Sequence, residues 1–262
     1  MSNFSLNNQA PLTKPHFMHY LAAWLVHGFT ASAAFIGLLT LVYLYQHQYI
    51  AALWLMALTI FIDAVDGTLA RLVKVKQVLP QIDGTLLDNI VDYLNYVITP
   101  CFFLFVHPSL VAPYLLYPII FTIVITSSYQ FCQADAKTPD HFFKGFPCYW
   151  NIAVFYMFML NTSVHTNAAI LIALCILIFI PIKYVYPSRL DYLTESYTLK
   201  ILMHIFSIIY GISSGILLWT YPHLNQACML ISLSYVVLYL SLSGYRTYSP
   251  LLLSKLATLK ER

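Results

Sequence analysis

Long apolar stretches fill most of the chain, and short polar turns break them at regular intervals. A helix needs about 20 mostly apolar residues to cross the hydrocarbon core of a bilayer. Eight stretches meet that need, at 19–46, 49–72, 84–106, 110–133, 147–163, 166–186, 198–219 and 224–244, the fifth being the shortest. Turn-like sequences separate them, among them His-Pro-Ser at 107–109, Val-His-Thr-Asn at 164–167 and Tyr-Pro-His-Leu-Asn-Gln at 221–226. The pattern predicts an all-α fold: a polytopic membrane helix bundle of about eight transmembrane helices. A polar segment at 1–18 precedes the membrane domain at 19–246, and a tail at 247–262 follows it. The first residues lack the apolar region of a cleavable signal, so the first stretch is expected to be a retained anchor. Neither tandem repeats nor low-complexity tracts interrupt the pattern.

Composition agrees: 60% of residues are hydrophobic and 9% charged, against about 25% charged in soluble domains. The distribution of charge then orients the bundle. An even number of spans puts both termini on one side, together with the loops 72–83, 134–146 and 187–197. All 13 Lys and Arg residues fall in those loops, in the termini or at the abutting span ends, and the opposite turns have none. The positive-inside rule makes that side, and both termini, cytoplasmic. The net charge of +3 is spread without a dense basic stripe, which argues against nucleic-acid binding. The five cysteines have no metal-ligand spacing and read as packing residues, and the histidines form no i, i+4 pair.

Four acids violate the apolar pattern. Asp63 and Asp66 lie in the second stretch, Asp88 and Asp92 in the third. An aspartate at the centre of a span costs about 2.5 to 3.5 kcal/mol on insertion scales, and intramembrane acids are functional candidates by default. At about 100° per residue, Asp63, Asp66, Gly67 and Ala70 share one arc. Gly84, Asp88 and Asp92 recur at every fourth residue, with Asn95 beside them. Two helices thus each present carboxylates on one face, near their cytoplasmic ends. The glycines permit close approach. Carboxylates converging at that depth repel unless neutralised. Two divalent ions would balance them, and oxygen-only ligands favour Mg2+ or Mn2+ over zinc. Ion-coupled transporters also use intramembrane acids, but they would spread them across the membrane depth in repeated halves.

Written out, the acids form Asp63-Ala-Val-Asp66-Gly67-Thr-Leu-Ala70-Arg71, twelve intervening residues, then Gly84-Thr-Leu-Leu-Asp88-Asn-Ile-Val-Asp92. This D-x-x-D-G-x-x-A-R…G-x-x-x-D-x-x-x-D pattern resembles the signature of the CDP-alcohol phosphatidyltransferases. The spacer Leu72–Asp83 is longer than is usual in that family. It is similar to a bacterial subgroup that takes free choline, as are the high span count and the segment 135–156. The resemblance implies a metal-dependent transferase that converts CDP-diacylglycerol and choline into phosphatidylcholine and CMP. By carry-over, Asp63, Asp66, Asp88 and Asp92 hold two Mn2+ or Mg2+ ions, and Asp88 and Asp92 are the catalytic pair. Asp92 either completes the second metal site or takes the proton of the acceptor hydroxyl. Asp66, Gly67, Ala70, Arg71 and Gly84 hold the CDP moiety, the Arg71 fork suiting phosphate oxygens. Serine, inositol or another alcohol remains an alternative acceptor. A bacterial inner-membrane location, an active site facing the cytoplasm and a homodimer are further expectations.

Choline is a quaternary ammonium, which aromatic faces hold by cation–π contact. Candidate rings on the cytoplasmic side are Tyr93, Tyr96, Phe142, Phe143, Tyr149 and Trp150. Asn95, Asp140, His141 and Asn151 are candidates for the same mouth. Lys183 and Arg189, which flank Tyr184, Tyr186 and Pro187, are candidates for a lipid phosphate.

Overall fold

A computed structural model describes residues 16–138, 140, 142–185 and 197–260, apart from the side chains at 199 and 250–260. His141, Tyr186, Pro187 and Arg189 fall outside the described residues, as does most of the N-terminal segment. The described chain is nearly all helix: α1 Phe17–Tyr45, α2 Tyr49–Val73, α3 Val75–Val78, α4 Gly84–Tyr93, α5 Thr99–Val106, α6 Pro113–Cys132, α7 Trp150–Met159, α8 Val164–Phe179, α9 Tyr197–Thr220 and α10 Gln226–Lys260. Two short strands, β1 Phe143–Lys144 and β2 Lys183–Tyr184, pair antiparallel.

Among the described residues, six helices are long and apolar enough to cross a membrane: α1, α2, Gly84–Val106, α6, Lys200–Thr220 and Gln226–Ser249. They coincide with six of the eight expected stretches. The other two stretches hold the shorter apolar helices α7 and α8. These are short because the chain leaves the helix on either side of them. Pro181 cannot continue α8, and the residues around Gly145 and Lys183 form the β1–β2 pair instead.

The third span is interrupted. Between α4 and α5 the chain widens into a π-helical turn at Leu94–Ile98. Pro100 follows and has no N–H to give a regular ladder. Asn95 fills the gap with its amide, which donates to the carbonyls of Val91 (3.0 Å) and of Ala33 in α1 (3.1 Å). A methyl group at Gly37 would collide with the Asn95 side chain. A small residue of α1 thus lets the π-helical turn approach closely.

Spans α1 and α2 lie side by side. The buried face of α1 runs Ala23, Val26, His27, Thr30, Ala33, Gly37, Thr40 and Leu44, the three- and four-residue steps of one helical stripe. The long spacer of the motif folds onto the start of that stripe. Lys74 takes a left-handed backbone (φ 55°) to end α2. The short helix α3 then buries Val75, Val78 and Leu79 against Ala23 and Val26, with Ala70 packed alongside. Asp83 caps α4 by accepting from the amides of Thr85 and Leu86 at 3.0 and 3.1 Å. The main apolar core lies elsewhere, between α5, α6, α7 and α8, around Phe103, Ile123, Trp150 and Leu171.

The strand β2 would leave backbone groups unpaired, which an apolar surrounding does not tolerate. Three side chains of α10, four residues apart, satisfy them. Thr247 accepts from the Lys183 amide (2.8 Å), Ser243 accepts from the Val185 amide (3.2 Å), and Tyr239 donates to the Val185 carbonyl (3.0 Å). Gly145 precedes this region with φ of 79°, and a Cβ there would run into the backbone of Ile178. Gly145→Ala is therefore expected to destabilise the protein by about 1 to 3 kcal/mol, through strain and displacement of α8. Thermal unfolding of the detergent-solubilised chain measures it, and an unchanged midpoint would contradict this packing.

Candidate active site

The sequence motif becomes a cluster because α2 and α4 carry its two halves and the folded spacer turns one helix back beside the other. Asp63 stands on α2, and Asp88 and Asp92 on α4. One carboxylate oxygen from each lies within 4.8 Å of the other two. All three residues are half-buried. The donors are hard oxygens only, with neither His nor Cys among them, which fits a hard divalent cation such as Mg2+ or Mn2+. Asp66 adjoins the three but is more deeply buried, at 6% exposure. It accepts a hydrogen bond from the Thr30 hydroxyl of α1 at 2.8 Å. A small cavity opens here, lined by all four aspartates, with Thr30, Thr59, Asn95 and Tyr96 as polar neighbours.

The remaining motif residues cluster around the same end. Arg71 folds back along α2, donates to Thr68 at 2.9 Å and lies against Gly67, where a methyl would meet its guanidinium at 3.4 Å. It also interacts electrostatically with Asp66. Gly84 packs under His27 of α1, and a methyl there would come within 3.1 Å of the imidazole. Its small size thus serves the α1–α4 contact. Ala70 belongs to the apolar cluster that seats α3.

The aromatic candidates separate into two groups. The Tyr96 hydroxyl donates to Asp63 at 2.9 Å, which puts it at the cavity. Tyr149 packs edge-on against Tyr96. The others are occupied in packing. Tyr93 points to α6, bonding Ser128 and the Val124 carbonyl. Trp150 is fully buried and donates to Ser127 at 2.8 Å. The Asn151 Oδ1 accepts from the neighbouring Ile152 amide while its Nδ2 is buried without a partner among the described residues, and Asn95 is held by its two backbone carbonyls. Phe142 is buried beside Val185, and Phe143 lies in β1. Asp140 and Lys183 are brought together as an ion pair at 2.5 Å. Partial burial would raise the Asp140 carboxyl, but hydrogen bonds from Lys183 and Thr138 hold it below the ordinary carboxylate value.

Three neighbours of the cluster are not apparent from the sequence. Thr30 and His27 come from α1, outside the motif. The imidazole Nε2 of His27 is buried without a partner among the described residues. Only the three- and four-residue recurrence of small and polar residues along α1 signals this face. Lys137, in the loop after α6, interacts electrostatically with Asp63, Asp88 and Asp92. In sequence it is indistinguishable from an ordinary positive-inside lysine.

Comparison with known proteins decides what this arrangement belongs to. The profile of the CDP-alcohol phosphatidyltransferase family matches residues 24–181, which contain every motif residue. The chain belongs to the CDP-alcohol phosphatidyltransferase family. It is therefore a transferase enzyme. It is 64% identical to a phosphatidylcholine synthase of Legionella pneumophila over 94% of its own length and 97% of that protein's. It is 67% identical to a phosphatidylcholine synthase of Legionella bozemanae, over 83% of this chain and all of the relative. A phosphatidylcholine synthase of Borreliella burgdorferi is 42% identical over 66% of this chain and 73% of its own.

In this member of the family, Thr30 anchors the buried Asp66 from a helix outside the motif. A hydrogen bond to a charged group contributes about 1.5 to 3 kcal/mol. Thr30→Val should therefore lower transferase activity by roughly tenfold or more, while Thr30→Ser, which keeps the hydroxyl, stays near wild type. Activity measured in membranes with matched protein levels checks this, and equal activity of the Val and Ser variants would refute it.

Proposed function

We propose that this chain transfers the phosphatidyl group of CDP-diacylglycerol to choline, forming phosphatidylcholine and releasing CMP. The observation that carries the reading is the meeting of Asp63, Asp88 and Asp92 within 4.8 Å on two helices. The high identity to proteins named phosphatidylcholine synthase supports choline as acceptor. Serine, inositol and other alcohols are the competing acceptors.

The balance of atoms fixes what the residues must do. The choline oxygen forms a bond to the phosphorus that carries diacylglycerol, and the bond from that phosphorus to the CMP oxygen breaks. Asp92 takes the hydroxyl proton as the oxygen attacks, since an alcohol is a poor nucleophile. Asp88 stands one turn away on the same face. Arg71, together with Asp66, Gly67, Ala70 and Gly84, binds the CDP portion and faces its phosphate charge. Lys137 adds positive potential from the loop. Two divalent ions, Mn2+ or Mg2+, held by Asp63, Asp66, Asp88 and Asp92, would neutralise the diphosphate as charge builds on the leaving CMP. The half-buried setting excludes bulk water, which would compete with choline for the phosphoryl group.

The topology proposed with this function has eight crossings, in which α7 and α8 are completed by their non-helical flanks. Six or eight crossings are both even, so either count keeps the termini on one side. The positive-inside distribution makes that side the cytoplasm of a bacterial inner membrane, where choline and CDP-diacylglycerol both reach the cluster. Residues 19–246 form the membrane domain, between an N-terminal segment at 1–18 and a tail at 247–262. A homodimer is proposed from family resemblance alone.

Membranes containing the protein should convert CDP-diacylglycerol and labelled choline into labelled phosphatidylcholine with equal release of CMP. Chelation should stop the reaction and added Mn2+ or Mg2+ restore it. Asp63→Ala, Asp66→Ala, Asp88→Ala and Asp92→Ala should each reduce turnover to background while inserted protein persists. CMP release with another alcohol and none with choline would overturn the acceptor. Near-normal turnover in any two of these variants would overturn the site.

A further inference from the structure

A run of tyrosine rings leads out of the aspartate cavity. Tyr96, bonded to Asp63, meets Tyr149 with 6.3 Å between centroids and 66° between planes. Tyr149 meets Tyr239 of α10 at 6.4 Å and 55°. Tyr239 in turn stacks on Tyr184 of β2 at 6.3 Å and 29°. Beyond Tyr239 lies a second, shallow cavity, walled by Val185, Met203, Leu242 and the hydroxyl-bearing Ser207 and Tyr235. Tyr96 thus borders one cavity and Tyr239 the other, with Tyr149 between them.

The angles matter. Rings inclined at 55° and 66° do not close on one another as flat stacks do; they form a bent wall of ring faces and edges. The faces of such a wall, unlike its electropositive edges, suit a compact cation that has no N–H to donate, because cation–π attraction acts over a ring face within about 6 Å of its centroid. Charge agrees as well. The aspartates lie at one end of the run, and Lys183, the nearest base on β2, is already engaged by Asp140. The two-carbon tether of choline joins its hydroxyl to its nitrogen. With the hydroxyl at the aspartates, the tether brings the trimethylammonium toward Tyr96, the ring that lines that cavity and against which Tyr149 packs.

We propose that Tyr96, Tyr149 and Tyr239 form the wall that receives the quaternary ammonium of the acceptor alcohol, with α10 contributing the far ring. This rests on the choline reading above and adds to it a helix that lies beyond the matched family segment at 24–181.

Tyr239 has a second duty, since its hydroxyl bonds the Val185 carbonyl, and the test must separate ring from hydroxyl. Steady-state kinetics in membranes would compare Tyr149→Leu, Tyr239→Leu and Tyr239→Phe. The acceptors are choline and dimethylbutanol, its neutral isostere with carbon in place of nitrogen. Each Leu variant should raise the KM for choline between about threefold and thirtyfold, the loss of one cation–π contact. The KM for CDP-diacylglycerol should stay within about twofold, and the preference for choline over dimethylbutanol should shrink in step. Tyr239→Phe should keep the wild-type choline KM. Choline KM values within about twofold in both Leu variants would overturn the wall. So would a Tyr239→Phe variant as impaired as Tyr239→Leu, because the hydroxyl alone would then matter. If a Leu variant lost all turnover, the ring-bearing Tyr149→Trp and Tyr239→Trp would decide: turnover in them supports the wall, and its absence in both overturns it. Failure of the wild type to use choline would instead sink the parent reading.

Discussion

Charge placed inside an apolar span is the constraint on which the rest of this structure depends. Each buried carboxylate would cost several kcal/mol if left alone. The helices that carry the acids are accordingly built to keep them together and supplied with partners. Tyr96 and Thr30 donate to Asp63 and Asp66, Arg71 lies beside Asp66, and Lys137 bears on the other three acids from the loop. The same concentration of negative charge is what the proposed function would use to hold cations and to take a proton. Cost and function have one source.

Holding that cluster requires α1, although α1 contributes nothing to the motif. Its stripe of His27, Thr30, Ala33 and Gly37 touches in turn Gly84, Asp66 and Asn95. The motif glycine at 84 is small because an imidazole lies over it. The π-helical turn at Leu94–Ile98 likewise makes sense only beside α1, since Asn95 divides its amide between the Val91 carbonyl of α4 and that of Ala33. Two helices present the acids, and a third fixes their spacing.

Much of this is legible in the amino-acid sequence, and the reason is physical. Membrane spans announce themselves by length and apolarity, so six of the expected stretches coincide with long helices. Aspartates at four-residue spacing stand out on such a background, because a span that only had to cross the bilayer would not bear their cost. The sequence is less informative where geometry departs from a regular period. Stretches 147–163 and 166–186 look apolar enough to cross, and although Pro181 signals a helix end, nothing in them marks the non-helical pairing around Gly145 and Lys183 that shortens α7 and α8. Aromatic residues are similarly opaque. Tyr93, Trp150 and Tyr149 are equivalent in sequence, yet the first two are absorbed by Ser128 and Ser127 and only Tyr149 faces Tyr96. Long-range contacts such as Tyr149 with Tyr239 leave no local trace. The spacer is visibly unusual in length, but its role as a packed cap appears only when Val75, Val78 and Leu79 are seen against α1.

The column of Tyr239, Ser243 and Thr247 has a consequence for assembly. A two-stranded sheet has two open edges, and an open edge recruits strands from other chains. Here β1 occupies one side of β2, while hydroxyl groups on a neighbouring helix bind the amides and carbonyl that face the other way. The helix α10 thus performs the office of a third strand without being one. It seals the β2 border of the sheet, and a bridge between Lys137 and Phe143 covers the β1 border, so the chain can carry a piece of β-structure through a helical bundle without offering a template for aggregation.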